Sequence, residues 1–376
     1  MDITETAEEK SFRTEVSTLL QTTIPPALRN AESFEDRLQA DRLLSEGGLL
    51  GYTWPERFGG AGGDPIRAQI LDDEMTIAGI PASRSPSRFG IHLLGPTLMK
   101  HGSDEQQRRF LPRVLKVQDV WCQGFSEPDA GSDLANIQAY ATADGDVFRV
   151  TGTKVWTTQA EHADWCLFVA KTSHEAPRHR NLTYLLVDMR QAGIEIQPIT
   201  QLTNVAAFSQ VFFNDVEVPK ENVVGEVGKG WEVALTTLTA ERSYGQLSRF
   251  RLYEQQVERL ARLVAQARPE RDFNRWVSEL GEVYADVRAI RALSYRIVSL
   301  AAADEDVGHL GPVIKIWWSE THQRVCDLGF EVAAAVGEDE DYWYHAWLNV
   351  RAETIYAGSS EIQRNIISER VLKLPR

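Results

Sequence analysis

The chain predicts an α+β fold in three consecutive parts: a helical region over 1–118, a β region over 119–227 and a second helical region over 228–376. Three observations carry this reading. Apolar residues recur at helical spacing up to about Val117, the period falls to two between about Asp119 and Glu226, and helical spacing returns from about Gly230. A length of 376 residues suits two or three domains with a large core.

Composition narrows the function classes. Hydrophobic residues make up 43% and charged residues 25%, a globular profile that excludes a disordered chain. Lys and Arg number 40 against 54 Asp and Glu, a formal charge of -14 whose field repels phosphate backbones and anionic headgroups. Neither nucleic acid nor a membrane surface is expected as a partner. Cys122, Cys166 and Cys326 share no C-x-x-C spacing, and their odd number fits a reducing compartment, so a cytoplasmic protein is expected. The first residues, through Val16, are acidic and polar where a signal peptide is basic and then apolar, and no stretch approaches the roughly 18 apolar residues of a membrane span.

In the first region, Phe12, Val16, Leu19 and Leu20 recur at helical steps, and Gln106 to Leu115 does likewise. The glycine-rich run from Tyr52 to Gly63 lacks the G-x-G-x-x-G spacing and a preceding strand, so it predicts a surface turn and not a dinucleotide site. In the β region, Gln138 to Thr142 and Val147 to Val150 flank Asp144-Gly145 as a hairpin. Cys166–Ala170, Leu182–Val187, Ile194–Ile199 and Val211–Val218 are further strands, rich in β-branched and aromatic residues. His174 and His179 lie on a polar segment between two of these strands. With no third ligand nearby, a solvated loop is the expectation there over a metal site. In the last region, Trp231, Leu235 and Leu238, then Leu247, Phe250, Val257, Leu260 and Val264, form an apolar stripe. Trp276–Ala303, Val313–Ala335 and Ser360–Leu374 predict further long helices, and the acidic, aromatic run from Glu338 to Trp347 predicts a solvated loop. Gly228-Lys229-Gly230 lacks the upstream glycine and following hydroxyl of a phosphate loop.

Three stretches carry a specific resemblance. They are Gly124-Phe125-Ser126-Glu127-Pro128-Asp129-Ala130-Gly131-Ser132-Asp133, then Gly152-Thr153-Lys154-Val155-Trp156-Thr157-Thr158, then Ile355-Tyr356-Ala357-Gly358-Ser359-Ser360-Glu361-Ile362-Gln363-Arg364. Together, in order, they resemble the T-E-P-x-A-G-S-D, G-x-K-x-W-I-T-N and I-Y-E-G-T-x-x-I-Q-R signatures of the acyl-CoA dehydrogenase family. The resemblance extends over essentially the whole chain and implies that family's order: N-terminal helical domain, middle β-barrel domain, C-terminal helical bundle.

A flavin, FAD in this family, is a planar ring with a polar edge and an anionic pyrophosphate, and it needs stacking, hydrogen-bond partners and close approach. The resemblance implies that Phe125 and Ser126 lie along the ring, Gly131 and Ser132 contact the pyrophosphate region, Trp156 packs beside the ring and Thr158 offers a hydroxyl near flavin N5. It further implies that Tyr356, Ser359 and Glu361 line the part formed by the last helix.

The implied reaction oxidises an acyl thioester to its trans-2-enoyl form. A base takes the α-proton while hydride leaves the β-carbon, and a carboxylate in a dry pocket suits the first task because desolvation raises its pKa. Most family members place that glutamate directly after the tyrosine of the third stretch, where this chain has Ala357. A minority carry it on the first long helix of the C-terminal domain, before an arginine, which here is Thr237-Leu238-Thr239-Ala240-Glu241-Arg242. Glu241 is therefore the candidate base and Arg242 its neighbour. Ala357 retains a backbone N–H, which in the family binds the thioester oxygen and stabilises the developing enolate.

Two segments depart from the family pattern. Arg268 to Arg275 stands where an R-x-x-F-G stretch is usual, and Phe330 to Gly337 where Q-x-x-G-G-x-G is usual; both normally reach a neighbour's flavin. The resemblance thus implies an oligomer, either of this chain or with a second acyl-CoA dehydrogenase-like subunit, and an electron-transfer flavoprotein as electron acceptor. Two alternatives share the fold: a flavin-dependent monooxygenase, and a non-catalytic subunit of a heteromer. Flavin bound by the purified chain, and oxygen uptake, discriminate them.

Overall fold

The computed structural model describes residues 4–243, 247–267 and 271–375, with only the backbone of Arg242 and Ser243. Helices α1 (Ala7–Thr23), α2 (Phe34–Glu46), α3 (Pro65–Ile77), α4 (Gly95–His101) and α5 (Asp104–Leu115) come first. Strands β1 (Trp121–Gly124), β2 (Tyr140–Asp144), β3 (Val147–Thr158), β4 (Trp165–Lys171), β5 (Leu182–Asp188), β6 (Ile194–Ile199), β7 (Phe208–Pro219) and β8 (Val223–Val224) follow. The chain ends in α6 (Gly230–Ser243), α7 (Arg249–Gln266), α8 (Phe273–Ala302), α9 (Leu310–Val336), α10 (Glu340–Val350) and α11 (Ser360–Ile366). The helix, sheet, helix order is the one the change of period predicts.

The chain packs as two compact units, each assembled from separated stretches. One gathers Gln21–Gly63 and Arg84–Tyr244; the other gathers Met1–Leu20, Asp64–Ser83 and Gly245–Arg376.

In the first of these, the strands form one eight-stranded sheet in the order β6-β7-β3-β2-β4-β5-β8, with β1 paired to β4. Asp144 pairs with Val147, so Gly145 and Asp146 make the two-residue turn of the expected hairpin, and Gly145 has the positive φ of 56° that such turns need. β5 is buried from Leu182 to Val187 and β4 from Trp165 to Ala170, as expected of strands covered on both faces. Phe168 of β4 and Phe213 of β7, separated by β2 and β3 in the sheet, meet edge-on with centroids 4.7 Å apart, so the sheet folds back around a shared core. The start of α6 lies hard against β5: a Cβ on Gly230 would fall 2.5 Å from the Thr183 carbonyl carbon, so no larger residue fits. The run from Tyr52 to Gly63 is a turn, as expected, but it also contributes to the core, because Trp54 is buried within it.

The second unit is helical. Phe250, Tyr253, Val257, Leu260 and Val264 of α7 form its buried stripe against α8 and α9. The run from Glu338 to Trp347, expected as a solvated loop, is instead mostly helix: α10 begins at Glu340 and buries Trp343 completely. Gly329 of α9 makes room for that indole, since a Cβ there would sit 2.1 Å from a Trp343 ring atom. The last predicted helix is shorter than expected. α11 ends at Ile366 and continues as a π-helical turn through Val371.

Candidate active site

The first two signature stretches are joined by a buried ion pair. Lys154, fully buried on β3, donates to Glu127 Oε1 at 2.8 Å, to the Phe125 carbonyl at 3.1 Å and to the Val169 carbonyl at 2.8 Å. The Glu127 carboxylate also accepts the backbone N–H groups of Gln138 and Ala139 at 2.5 and 3.0 Å. Burial lowers the Lys154 pKa, with Glu127 pulling the other way. The N–H of Val155 donates to the carbonyl of Ser126 at 2.9 Å, a second tie between the stretches. Phe125 is buried and meets Tyr184 edge-on, while Ser126 is half-buried beside it.

From this anchored base β3 presents Trp156. The β3–β7 register breaks between Lys154 and Thr157, and Trp156 sits in that bulge with φ 60° and 58% of its surface exposed. A left-handed β-strand tryptophan is costly, and such strain clusters at functional sites. Next to it, the Thr157 hydroxyl is buried with no hydrogen-bond partner among the described residues. Thr158 is half-buried, Gly131 and Ser132 are exposed, and a Cβ on Gly131 would meet nothing within 4 Å. An exposed indole, an orphaned hydroxyl and an open loop are what a planar ring with an anionic tail would cover, so these residues fit the expected flavin.

Glu241 lies half-buried on the last turn of α6. One turn earlier, the buried Thr237 Oγ1 stands 2.8 Å from Thr97 Oγ1 and 3.2 Å from Tyr184 Oη, while His101 reaches Thr236 at 2.8 Å. The helix is thereby fixed to α4 and, through Tyr184, to the wall that holds Phe125. The backbone of Arg242 continues the helix; its side chain lies outside the described residues.

The third stretch belongs to the helical unit. Ala357 has φ 54° and Gly358 φ 86°, a left-handed pair that turns the chain into α11. Gln363, fully buried, holds that turn by donating to the carbonyls of Ala357 and Gly358 at 3.1 and 3.2 Å. Ser359 caps α11 by accepting the Ile362 N–H at 3.3 Å. Glu361 is exposed in the first turn, where its own backbone N–H and then Ser359 hold its carboxyl below the usual range. Buried Ser360 Oγ and Gln363 Oε1 find no partner among the described residues. Tyr356 receives a hydrogen bond from Arg249 at 3.2 Å.

Of the expected departures, Arg268 to Glu270 lie outside the described residues, and Phe330 to Val336 is the end of α9. His174 stacks on Tyr140 and His179 packs near Trp231; no group of metal-ligating side chains occurs among the described residues. Glu127 and Lys154 were missed as site residues although both lie inside the signature stretches. A lysine beside apolar strand neighbours was the available signal. Tyr184, Thr237 and Gln363 carried no such mark.

Comparison with known proteins agrees with this architecture. The models for the acyl-CoA dehydrogenase N-terminal, middle and C-terminal domains match residues 6–118, 122–216 and 228–372. Acyl-CoA dehydrogenase IpdE1 of Mycobacterium tuberculosis is 39% identical over 353 residues, 93% of this chain and 90% of that protein. Among solved structures, the Tcur3481-Tcur3483 steroid ACAD has a TM-score of 0.87 at 28% identity, with both chains fully covered. A chain of the ChsE4-ChsE5 complex from Mycobacterium tuberculosis has a TM-score of 0.85 at 27% identity, again over the full length of both. With all three domain models matched in order and a relative this similar over nine-tenths of its length, the chain belongs to the acyl-CoA dehydrogenase family of flavoprotein oxidoreductases.

Proposed function

We propose that the chain catalyses the FAD-dependent α,β-dehydrogenation of an acyl thioester, carried on CoA or a carrier protein, to the trans-2-enoyl thioester, with Glu241 as the base. The supporting observation is the route from Phe125 through Tyr184 to Thr237, which ties the helix bearing Glu241 to the wall bearing the cofactor loop.

Phe125, Ser126, Gly131, Ser132, Trp156 and Thr158 would hold the cofactor on the sheet, with Tyr356, Ser359 and Glu361 serving the remainder of the site. FAD, when bound, supplies a hydride acceptor at N5. Glu241 takes the proton from the α-carbon, and the backbone N–H of Ala357 donates to the thioester oxygen as negative charge develops there. Ala357 cannot take the proton itself, because a methyl group accepts none. Arg242 follows the base in the chain and is proposed, as the resemblance implies, as its catalytic neighbour. The division at 118/119 and 227/228 gives the domains that supply these parts.

The known complexes among the relatives, ChsE4-ChsE5 and Tcur3481-Tcur3483, support a heteromeric assembly with a second subunit of this family. An electron-transfer flavoprotein is the proposed electron acceptor. The steroid ACAD likeness supports including ring-bearing acyl groups among the thioesters tested.

The experiment is anaerobic mixing of the purified protein with a thioester panel while the flavin absorbance is followed. Bleaching by at least one thioester is expected, and Glu241→Gln should slow it by ~10²–10⁴ with flavin content kept. No bleaching by any thioester, together with rapid oxygen uptake in the presence of a reductant, would instead identify an oxygenase.

A further inference from the structure

Behind Tyr356 the helical unit gathers two cations, Arg249 and Lys315, around Glu353. Arg249 of α7 and Lys315 of α9 both contact Glu353, but only Arg249 reaches its carboxylate: Arg249 Nη1 lies 3.4 Å from Glu353 Oε1, whereas Lys315 Nζ donates to the Glu353 backbone carbonyl at 2.9 Å. His322 takes the other carboxylate oxygen, Oε2, at 2.7 Å. A well-made guanidinium–carboxylate pair is a two-pronged contact near 2.8 Å, so the long single contact leaves the Arg249 fork poorly used. Its Nε is buried and without a partner among the described residues, as is the Nε1 of the fully buried Trp318 beside it. Native structures rarely keep such donors unpaired, because each one loses its hydration for nothing in return. Burial also pulls the Lys315 pKa down to about 8, against the attraction of Glu353.

The shape of the site limits what can satisfy it. Trp318 covers one side of the Arg249 guanidinium at 4.5 Å and Tyr356 lies 5.9 Å from it, so a planar acceptor entering along the guanidinium edge matches the remaining donors. A hydrocarbon chain placed here would leave Arg249 Nε and Trp318 Nε1 desolvated and without an acceptor. Tyr356 immediately precedes Ala357, the residue proposed above to hold the thioester oxygen.

We propose that Arg249 and Lys315 form a subsite for a carboxylate carried by the acyl group, so that the substrates are acyl thioesters with a second, acidic function. This rests on the reading that Tyr356 and Ala357 border the acyl chain. Glu353 and His322 are positioning residues that hold Arg249 and Tyr356 in place.

The test uses the purified protein in its native assembly and two series of CoA thioethers, S-alkyl and S-(ω-carboxyalkyl), matched in chain length. Their binding is measured by calorimetry, and the corresponding thioesters are scored for flavin bleaching. At the fitting length the carboxyalkyl ligand should bind at least ~10-fold more tightly than its alkyl match, the scale of a desolvated charge pair. Arg249→Leu and Lys315→Met should each bring that ratio toward one, and Arg249→Lys should keep part of it. Arg259→Leu, on a surface pair with Asp339, should leave the ratio as it is. If Arg249→Leu does not fold, Arg249→Lys and Lys315→Met still decide. Equal or tighter binding of the alkyl ligand at every length overturns the subsite, whatever the bleaching shows. A carboxyalkyl preference that depends on Arg249, without bleaching by any thioester, upholds the subsite and refutes the dehydrogenase reading alone.

Discussion

Trp156 and Lys154 stand two residues apart on β3 and should fail differently. Trp156 is 58% exposed, so Trp156→Ala should change the unfolding free energy of the cofactor-free protein by no more than about 0.5 kcal/mol while weakening flavin retention. Lys154→Met strands the buried Glu127 carboxylate and should cost about 3–5 kcal/mol as well as releasing flavin. Urea unfolding together with flavin quantitation separates the two; full occupancy in Trp156→Ala would remove that ring from the site. Asp72 on α3 offers a test by pH. Burial, and then the neighbouring Asp73, push its carboxyl up to about 7. A raised carboxyl in the folded state means that this group withdraws stability as pH rises from about 4 to about 7. Asp72→Asn should therefore raise the unfolding midpoint at about pH 8 and change it little at about pH 4; an equal gain at both would show that titration is not the cause.

At the scale of elements, α6 depends on hydroxyls. Tyr184→Phe removes the contact to Thr237 and should cost about 0.5–1.5 kcal/mol of stability, yet lower turnover more than flavin content, because the helix bearing Glu241 loses a tie to the sheet. Parent-level turnover in that variant would take Tyr184 out of the mechanism. α10 depends on one indole. Trp343→Ala empties a fully buried site and should cost about 3–5 kcal/mol, read by denaturant unfolding. That helix shows where a single sequence misleads. Trp343, Ala346, Trp347 and Val350 do recur at helical steps, but Glu338, Glu340 and Asp341 crowd the start and make the run look solvated. Glu340 and Asp341 occupy the first turn, where they suit the helix dipole. The hairpin at Gly145 and the stripe of α7 were legible because turn chemistry and apolar period are local properties. The bond from Lys154 to Glu127 was not, because it joins residues 27 apart through the packing of β3 against the signature loop.

For the whole molecule, the order of helices and sheet could be read from the change of period, and the family from three short stretches. The Arg249–Tyr356 corner could not, since its members are 107 residues apart and ordinary on their own helices. Assembly is likewise a property of the complete protein. On the proposed heteromeric assembly, the weak matches at Arg268 to Arg275 and Phe330 to Gly337 predict that co-expression with a second subunit of the family raises flavin occupancy above that of the chain alone. Sedimentation with flavin absorbance checks this, and a flavin-saturated monomer would contradict it. In the proposed reaction everything turns on the Glu241 carboxylate taking the α-proton. Its most direct test is deuterium uptake from D₂O at the α-carbon of a bound acyl-CoA whose β-position cannot lose hydride. The parent should exchange that hydrogen, and Glu241→Gln should do so ~10²–10⁴ more slowly at unchanged flavin content; exchange at the parent rate in the Gln variant would contradict it.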